Sequence, residues 1–323
     1  MFCQNCGNKL PDGTKFCSKC GASQAQQNDA SAQPVVNGTI NLNNLKNNPN
    51  MPIIAQKGIY EVFEHQKDLS VSPEYASIAY FMHEMNVRKR QVLCNLDNST
   101  IKVQAGAMQW SAGNVTMNAG VKGVKDFFGK ALKGLSTGES LAKPIYSGTG
   151  YVMFEPTYKY ILLEDVEEWG EGVVLDDGLF LACDASLEES IVARSNVSSA
   201  LLGGEGLFNL SLSGKGIAVL ESPVPREELI EVTLDNSEIR IDGNMAIAWS
   251  KSLKFTVETS TKSLVGSMLS GEGVVNVYRG TGKILMAPTV AGTLMKANNS
   301  PNEAAKTSSD GVAGSIVSSL LDL

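Results

Sequence analysis

The chain is 323 residues long, 43% hydrophobic, with 27 Lys and Arg against 34 Asp and Glu and a formal net charge of -7. That length and apolar content support one large or two medium domains and argue against wholesale disorder. The acidic balance gives no global attraction to phosphates or anionic lipid, so nucleic acid is not an expected partner. No run approaches the roughly 18 to 20 apolar residues of a membrane span, and no signal-peptide pattern precedes the first cysteine.

Six cysteines are present, and four of them form two CxxC pairs at the N-terminus. The segment Phe2-Cys3-Gln4-Asn5-Cys6-Gly7 recurs as Phe16-Cys17-Ser18-Lys19-Cys20-Gly21. Each CxxC is expected to make a tight turn aiming two sulfurs inward, followed by a glycine free to adopt positive φ. Cys3, Cys6, Cys17 and Cys20 then close a tetrahedral site around one zinc ion and leave no coordination position for substrate. The competing readings are a redox pair, which lacks a βαβ context, and an iron–sulfur cluster. The spacing resembles the short zinc ribbons, a resemblance limited to residues 1–24 that implies a recognition or assembly knob. Paired CxxC motifs fit metal in a reducing compartment, so a cytoplasmic location is expected. Cys94 and Cys183 stand alone and read as small core residues.

Residues 25–57 turn to Asn, Gln, Ser and Ala, interrupted by Pro34, Pro49 and Pro52. Such a composition buries little apolar surface and is expected to be a flexible linker. In the next segment, Pro73 is a good first-turn residue for a helix. Arg88-Lys89-Arg90 reads as a solvated basic strand edge.

From residue 58 to 290 the sequence repeats itself. Gly138-Glu139 to Gly148-Thr149-Gly150, Gly204-Glu205 to Gly214-Lys215-Gly216, and Gly271-Glu272 to Gly280-Thr281-Gly282 share one frame about 66 residues apart. A short apolar strand and then Pro156, Pro223 or Pro288 follows each. Upstream, Leu96-Asp97-Asn98-Ser99 matches Leu234-Asp235-Asn236-Ser237, with a looser counterpart at 173–178, and the second strands end near Trp110, Asp184 and Trp249. Turn residues between Val-, Ile- and Thr-rich runs predict a mainly β body of three similar units. The Gly-x-Gly pairs are followed by strands, so hairpin turns and bulges are expected rather than phosphate loops. Glu139, Glu205 and Glu272 read as turn caps or as a threefold acidic ring.

Several stretches resemble the altered-inheritance-of-mitochondria family with serial number twenty-four. They are Ala105-Gly106-Ala107-Met108, Phe128-Gly129-Lys130-Ala131-Leu132 leading to Thr137-Gly138-Glu139-Ser140, Gly214-Lys215-Gly216 through Glu221-Ser222, and Ser270-Gly271-Glu272-Gly273. The resemblance spans about residues 90 to 290. It implies a three-repeat double-stranded β-helix-like body, similar to the tryptophan RNA-binding attenuation protein, and no catalytic residue. The ribbon, the linker and Gly58–Arg90 depart from the simplest members.

Three functional classes follow. A cupin-like enzyme needs clustered histidines, whereas the chain has two, His65 and His83. RNA binding rests on fold analogy alone. A non-enzymatic scaffold or binding protein, oligomeric and using the ribbon to recruit protein partners, is the expectation. The alternative is a peripheral membrane assembly factor. In residues 121–135, Val121, Val124, Phe128, Ala131, Leu132 and Leu135 fall at helical spacing beside Lys122, Lys125, Lys130 and Lys133. The favoured reading of this stretch is a helix or glycine loop that covers one end of the barrel, with its lysines solvated. Shorter apolar counterparts occur at 197–202 and 264–269. The tail, 291–323, is polar until Val312, Ile316, Val317, Leu320 and Leu321, which either pack back or dock a partner.

Overall fold

The computed structural model describes residues 3, 6–11, 14, 16–21, 38–118, 143–193, 208–259 and 274–289. The chain divides into two compact units, Met1–Thr39 and Ile40–Leu323. Segments 121–135, 197–202 and 264–269, the glutamates Glu139, Glu205 and Glu272, and the tail 291–323 lie outside the described residues.

The second unit is mainly β. It opens with β1 (Ile53–Lys57) and β2 (Tyr60–Glu64), then a 3-10 turn at Pro73–Tyr75 that leads into α1 (Ala76–Glu84). Pro73 sits in the first turn, where its missing N–H costs nothing. Next come β3 (Arg90–Val103), β4 (Met108–Asn118) and β5 (Ile145–Phe154). The middle third holds β6 (Tyr160–Asp165), β7 (Val173–Leu175), β8 (Phe180–Asp184), β9 (Glu188–Ala193), β10 (Phe208–Ser213) and β11 (Ile217–Ser222). The last third holds β12 (Ile230–Asp242), β13 (Ala246–Ser250), β14 (Lys254–Thr259) and β15 (Val274–Met286).

These strands form two curled sheets. The first runs β1-β2-β3-β8-β11-β6, with β5 also on β3 and β4 on β5; the second runs β12-β15-β13-β7-β10-β9, with β14 on β15. The middle third therefore contributes strands to both sheets. Valine, leucine and isoleucine alternate inward to fill three main clusters. One surrounds Trp169 and Leu212, one surrounds Tyr60 and Phe154, and one surrounds Trp249 and Tyr278.

One local device recurs in three antiparallel pairs. Met108 faces Phe154 and Trp110 faces Met153, which leaves Gln109 bulged. Phe180 faces Leu220 and Ala182 faces Val219, which leaves Leu181 bulged. Ala246 faces Met286 and Ala248 faces Leu285, which leaves Ile247 bulged. The register aligns Trp110 with Ala182 and Ala248, so Trp249 corresponds to Ser111 and Cys183.

A second bulge occurs twice. Leu96 faces Gly150 and Ser99 faces Gly148, just as Leu234 faces Gly282 and Ser237 faces Gly280. Asn98 and Asn236 both take φ 45°, and their N–H groups donate to Thr149 and Thr281 Oγ1 at 3.1 and 3.0 Å. The Gly-x-Gly pairs of the first and last thirds thus lie inside strands β5 and β15, not in hairpin turns. A Cβ on Gly148 would stand 1.9 Å from the Asn114 carbonyl oxygen, so close strand approach requires glycine there.

The linker expected over 25–57 ends early. Leu42, Leu45 and Met51 pack on Phe63, Leu93 and Met153, and β1 pairs with β2. Its scattered apolar residues are too sparse for a periodic signal but land on one hydrophobic patch.

The basic cluster 88–90 is not a solvated edge either. Arg90 is 2% exposed, pairs with Glu64 Oε2 at 2.7 Å and stacks 4.1 Å from the Tyr160 ring. Arg88 pairs with the same glutamate at 2.9 Å, and Lys89 pairs with Asp68 at 2.7 Å. These bonds fasten the segment before β3 to the sheet. Among the described residues, no helix is long and apolar enough to cross a membrane.

Candidate metal centre

In the first unit, each knuckle closes by a backbone bond. Gly7 N–H donates to the Cys3 carbonyl and Gly21 N–H to the Cys17 carbonyl, both at 2.8 Å. The two glycines take φ 68° and 70°, a left-handed conformation that a side chain would strain. Cys3, Cys17 and Leu10 form a small buried cluster, while Cys6 and Cys20 are exposed.

All four sulfurs lie within 4.8 Å of one another, with Cys3–Cys20 at 3.6 Å and Cys6–Cys17 at 3.7 Å. A tetrahedron with zinc–sulfur bonds of about 2.3 Å has sulfur–sulfur edges of about 3.8 Å, so the set fits one zinc ion. The electrostatics agree. The backbone hydrogen bond involving Asn8 favours a Cys6 thiolate, yet hydrogen bonding with the Cys20 sulfur, burial, and hydrogen bonding with Cys3 and Cys17 push this thiol up to about 12. Four thiolates cannot be held together without a cation, and a divalent ion reverses that balance. All four predicted ligands are thus brought together.

The second unit holds further chemistry-bearing groups. Cys94 and Cys183 are fully buried, and burial raises the first well above the usual thiol range and the second to about 12. Neither has the character of a reactive thiolate. Tyr60 OH donates to Asp184 Oδ1 at 2.9 Å, and Ile217 N–H donates to Asp184 Oδ2 at 2.8 Å. Asp184 thereby ties β2 and β11 to β8.

His65 and His83, far apart in sequence, line one cleft with Asp68, Arg88 and Tyr158. Its volume is about 20 Å³, the space of about one water molecule. His65 Nε2 is bonded to Gln91 Oε1 at 2.9 Å. Asp68 is held by Lys89 and accepts from Ser70 Oγ at 2.6 Å and Tyr158 OH at 3.2 Å. Although burial alone would raise it, these donors hold the Asp68 carboxyl well below the usual carboxylate range. The only described group of His, Cys, Asp or Glu able to hold a metal is the cysteine set.

Two surface features escaped the sequence reading. A cleft of about 470 Å³ has a floor of Leu179, Ile247 and Ala287 and a rim including Lys159 and Glu221. That size falls within the range of ligand sites, about 300 to 1,000 Å³. Ile78 and Phe81 on α1 are exposed, in line with Tyr75 just before the helix and Met85 just after it. The 3- and 4-residue spacing of that stripe was visible, but its outward direction was not.

Two family models match the two units separately. A zinc-ribbon domain family matches residues 2–24. An uncharacterized Streptococcus pyogenes protein is 30% identical over 210 residues, covering 61% of this chain and 82% of its own. A crystal structure of a Streptococcus pyogenes protein, 27% identical, aligns with a TM-score of 0.48 over 66% of this chain and 95% of its own. The mitochondrial biogenesis AIM24 family matches residues 83–289, most of the β unit, and the chain belongs to that family.

Proposed function

We propose that this chain is a non-enzymatic scaffold or binding protein whose zinc ribbon recruits a protein partner. The body carrying the ribbon is read as three repeats of the double-stranded β-helix type. The observation behind the proposal is the convergence of four sulfurs in a unit separate from the β body. A closed set of four thiolates binds zinc for shape and offers no position to a substrate. Neither lone cysteine nor either histidine offers an evident catalytic group: the two cysteines are buried thiols, and the two histidines border a space for one water. The recurring bulges support the three-repeat reading.

The test is affinity capture from cells with the full chain and with a Cys17→Ser variant. Partners that depend on the zinc-loaded ribbon are expected to vanish with the variant. An unchanged partner set would remove the recruiting role. Turnover in a broad hydrolase screen that survives deletion of residues 1–56 would overturn the non-enzymatic reading.

A further inference from the structure

Two sheet joints have the same construction. The end of β3 pairs with β8: Ile101 faces Asp184, Lys102 faces Cys183 and Val103 faces Ala182. Strand β7 pairs with β13 in the matching way: Val173 faces Ser250, Val174 faces Trp249 and Leu175 faces Ala248. The bulges already described align Ala182, Ala248 and Trp110. They also align Ile101, Lys102 and Val103 with Ile239, Arg240 and Ile241. Each joint therefore links the first strand of one repeat to the second strand of the next.

The strands for a third joint exist but are not joined. Among the described residues, β12 pairs only with β15, and β4 pairs only with β5. Exposure follows pairing. Strand β13 is buried at every residue and β8 at all but Asp184, whereas β4 has no buried residue. Arg240 and Ser111 are exposed. The sheet orders show what is missing. One sheet contains β4-β5-β3-β8-β11-β6 and the other β9-β10-β7-β13-β15-β12. A third of the same kind would read β14-β15-β12 followed by β4-β5-β3.

We propose that a second copy of this chain supplies that continuation, with β4 of one copy pairing antiparallel to β12 of the next. Continuity with the two internal joints sets the register: Ile239 faces Ala112, Arg240 faces Ser111 and Ile241 faces Trp110. In one chain these strands belong to different sheets, so each copy offers two unused edges, one on β4 and one on β12, at opposite ends of the repeat series. Unpaired edges of this kind are templates for strand addition. The contact is head-to-tail and generates a ring where the rotation closes. The inference rests on the three-repeat reading and is independent of the ribbon's recruiting role.

The test uses full-length, zinc-loaded chains carrying Ser111→Cys or Arg240→Cys, both exposed positions. Mixing the two under mild oxidation is expected to give a disulfide-linked dimer between positions 111 and 240, absent from either variant alone. Sedimentation of the unaltered chain should show a concentration-dependent oligomer. A monomer at every concentration overturns the joint. So does a 111–240 link that forms only within one chain of the double variant. Preferential linkage of Arg240→Cys to Thr116→Cys overturns the register and with it the three-repeat alignment.

Discussion

The ribbon and the β body meet the same folding cost by different means. The ribbon's described core is Cys3, Cys17 and Leu10, far too little apolar surface to offset the ordering of its backbone. Its stability has to come from the ion. The body buries three large apolar clusters and holds its strands by continuous ladders, so it needs no metal. The comparison therefore predicts that the two units respond to different insults. Cys17→Ser, or a strong chelator, should abolish zinc retention and unfold the ribbon, since structural zinc supplies on the order of 10 kcal/mol or more. Metal analysis should fall from one zinc per chain to none while the calorimetric transition of the body stays in place. A body that melted with the ribbon would end the distinction.

Within the body, the next largest effect belongs to the buried ion pair that anchors the segment before β3. Arg90 is 2% exposed, donates to the Asn86 carbonyl at 3.2 Å and pairs with Glu64 at 2.7 Å. Arg90→Met leaves Glu64 buried without its closest cation and should cost about 3 to 5 kcal/mol by denaturant titration. Zinc content should not change. Slightly smaller is Gly148→Ala, whose new methyl meets the Asn114 carbonyl of β4 at 1.9 Å and must part the β4–β5 ladder. A loss of about 2 to 3 kcal/mol is expected. Gly178→Ala, with open space around it at φ 74°, should cost only about 1 kcal/mol.

How much of this could be read from sequence follows the range of the interactions. The ribbon is legible because its chemistry is local: two CxxC-Gly turns fix both ligand identity and backbone shape. The β class, the helix opening at Pro73 and the glycine constraint at Gly148 are legible for the same reason. The roles of Arg88, Lys89 and Arg90 are not, because Glu64 and Asp68 lie some twenty or more positions away and reach them only through sheet pairing. The two histidines share a cleft for a similar non-local reason. The correspondence of Trp249 with Ser111 is hidden because it rests on which residues face each other across the sheet and not on residue identity. The packing of Leu42, Leu45 and Met51 is hidden in a stretch whose average is polar.

The smallest predicted effect lies on the far sheet and concerns pH. Glu258 accepts from Arg279 Nη2 at 2.9 Å and from Thr256 Oγ1 at 2.8 Å, and Arg240 stands 3.7 Å away. The Arg279 hydrogen bonds, helped by Thr256, lower its carboxyl from the ordinary 4.5 to about 2. A carboxylate depressed on folding stabilises the native state fully above its unfolded value. That contribution fades as pH falls from the ordinary value of 4.5 toward about 2. Because the pair is about a third exposed, solvent screening limits it to under about 1 kcal/mol. Glu258→Gln should therefore flatten the acid limb of the body's stability curve slightly and leave the plateau near neutral pH lower by that small amount. The ribbon responds to acid for another reason, since protonation of its thiolates releases zinc. Following zinc release and body unfolding together through an acid titration would show two separate transitions, and only the second should move in Glu258→Gln.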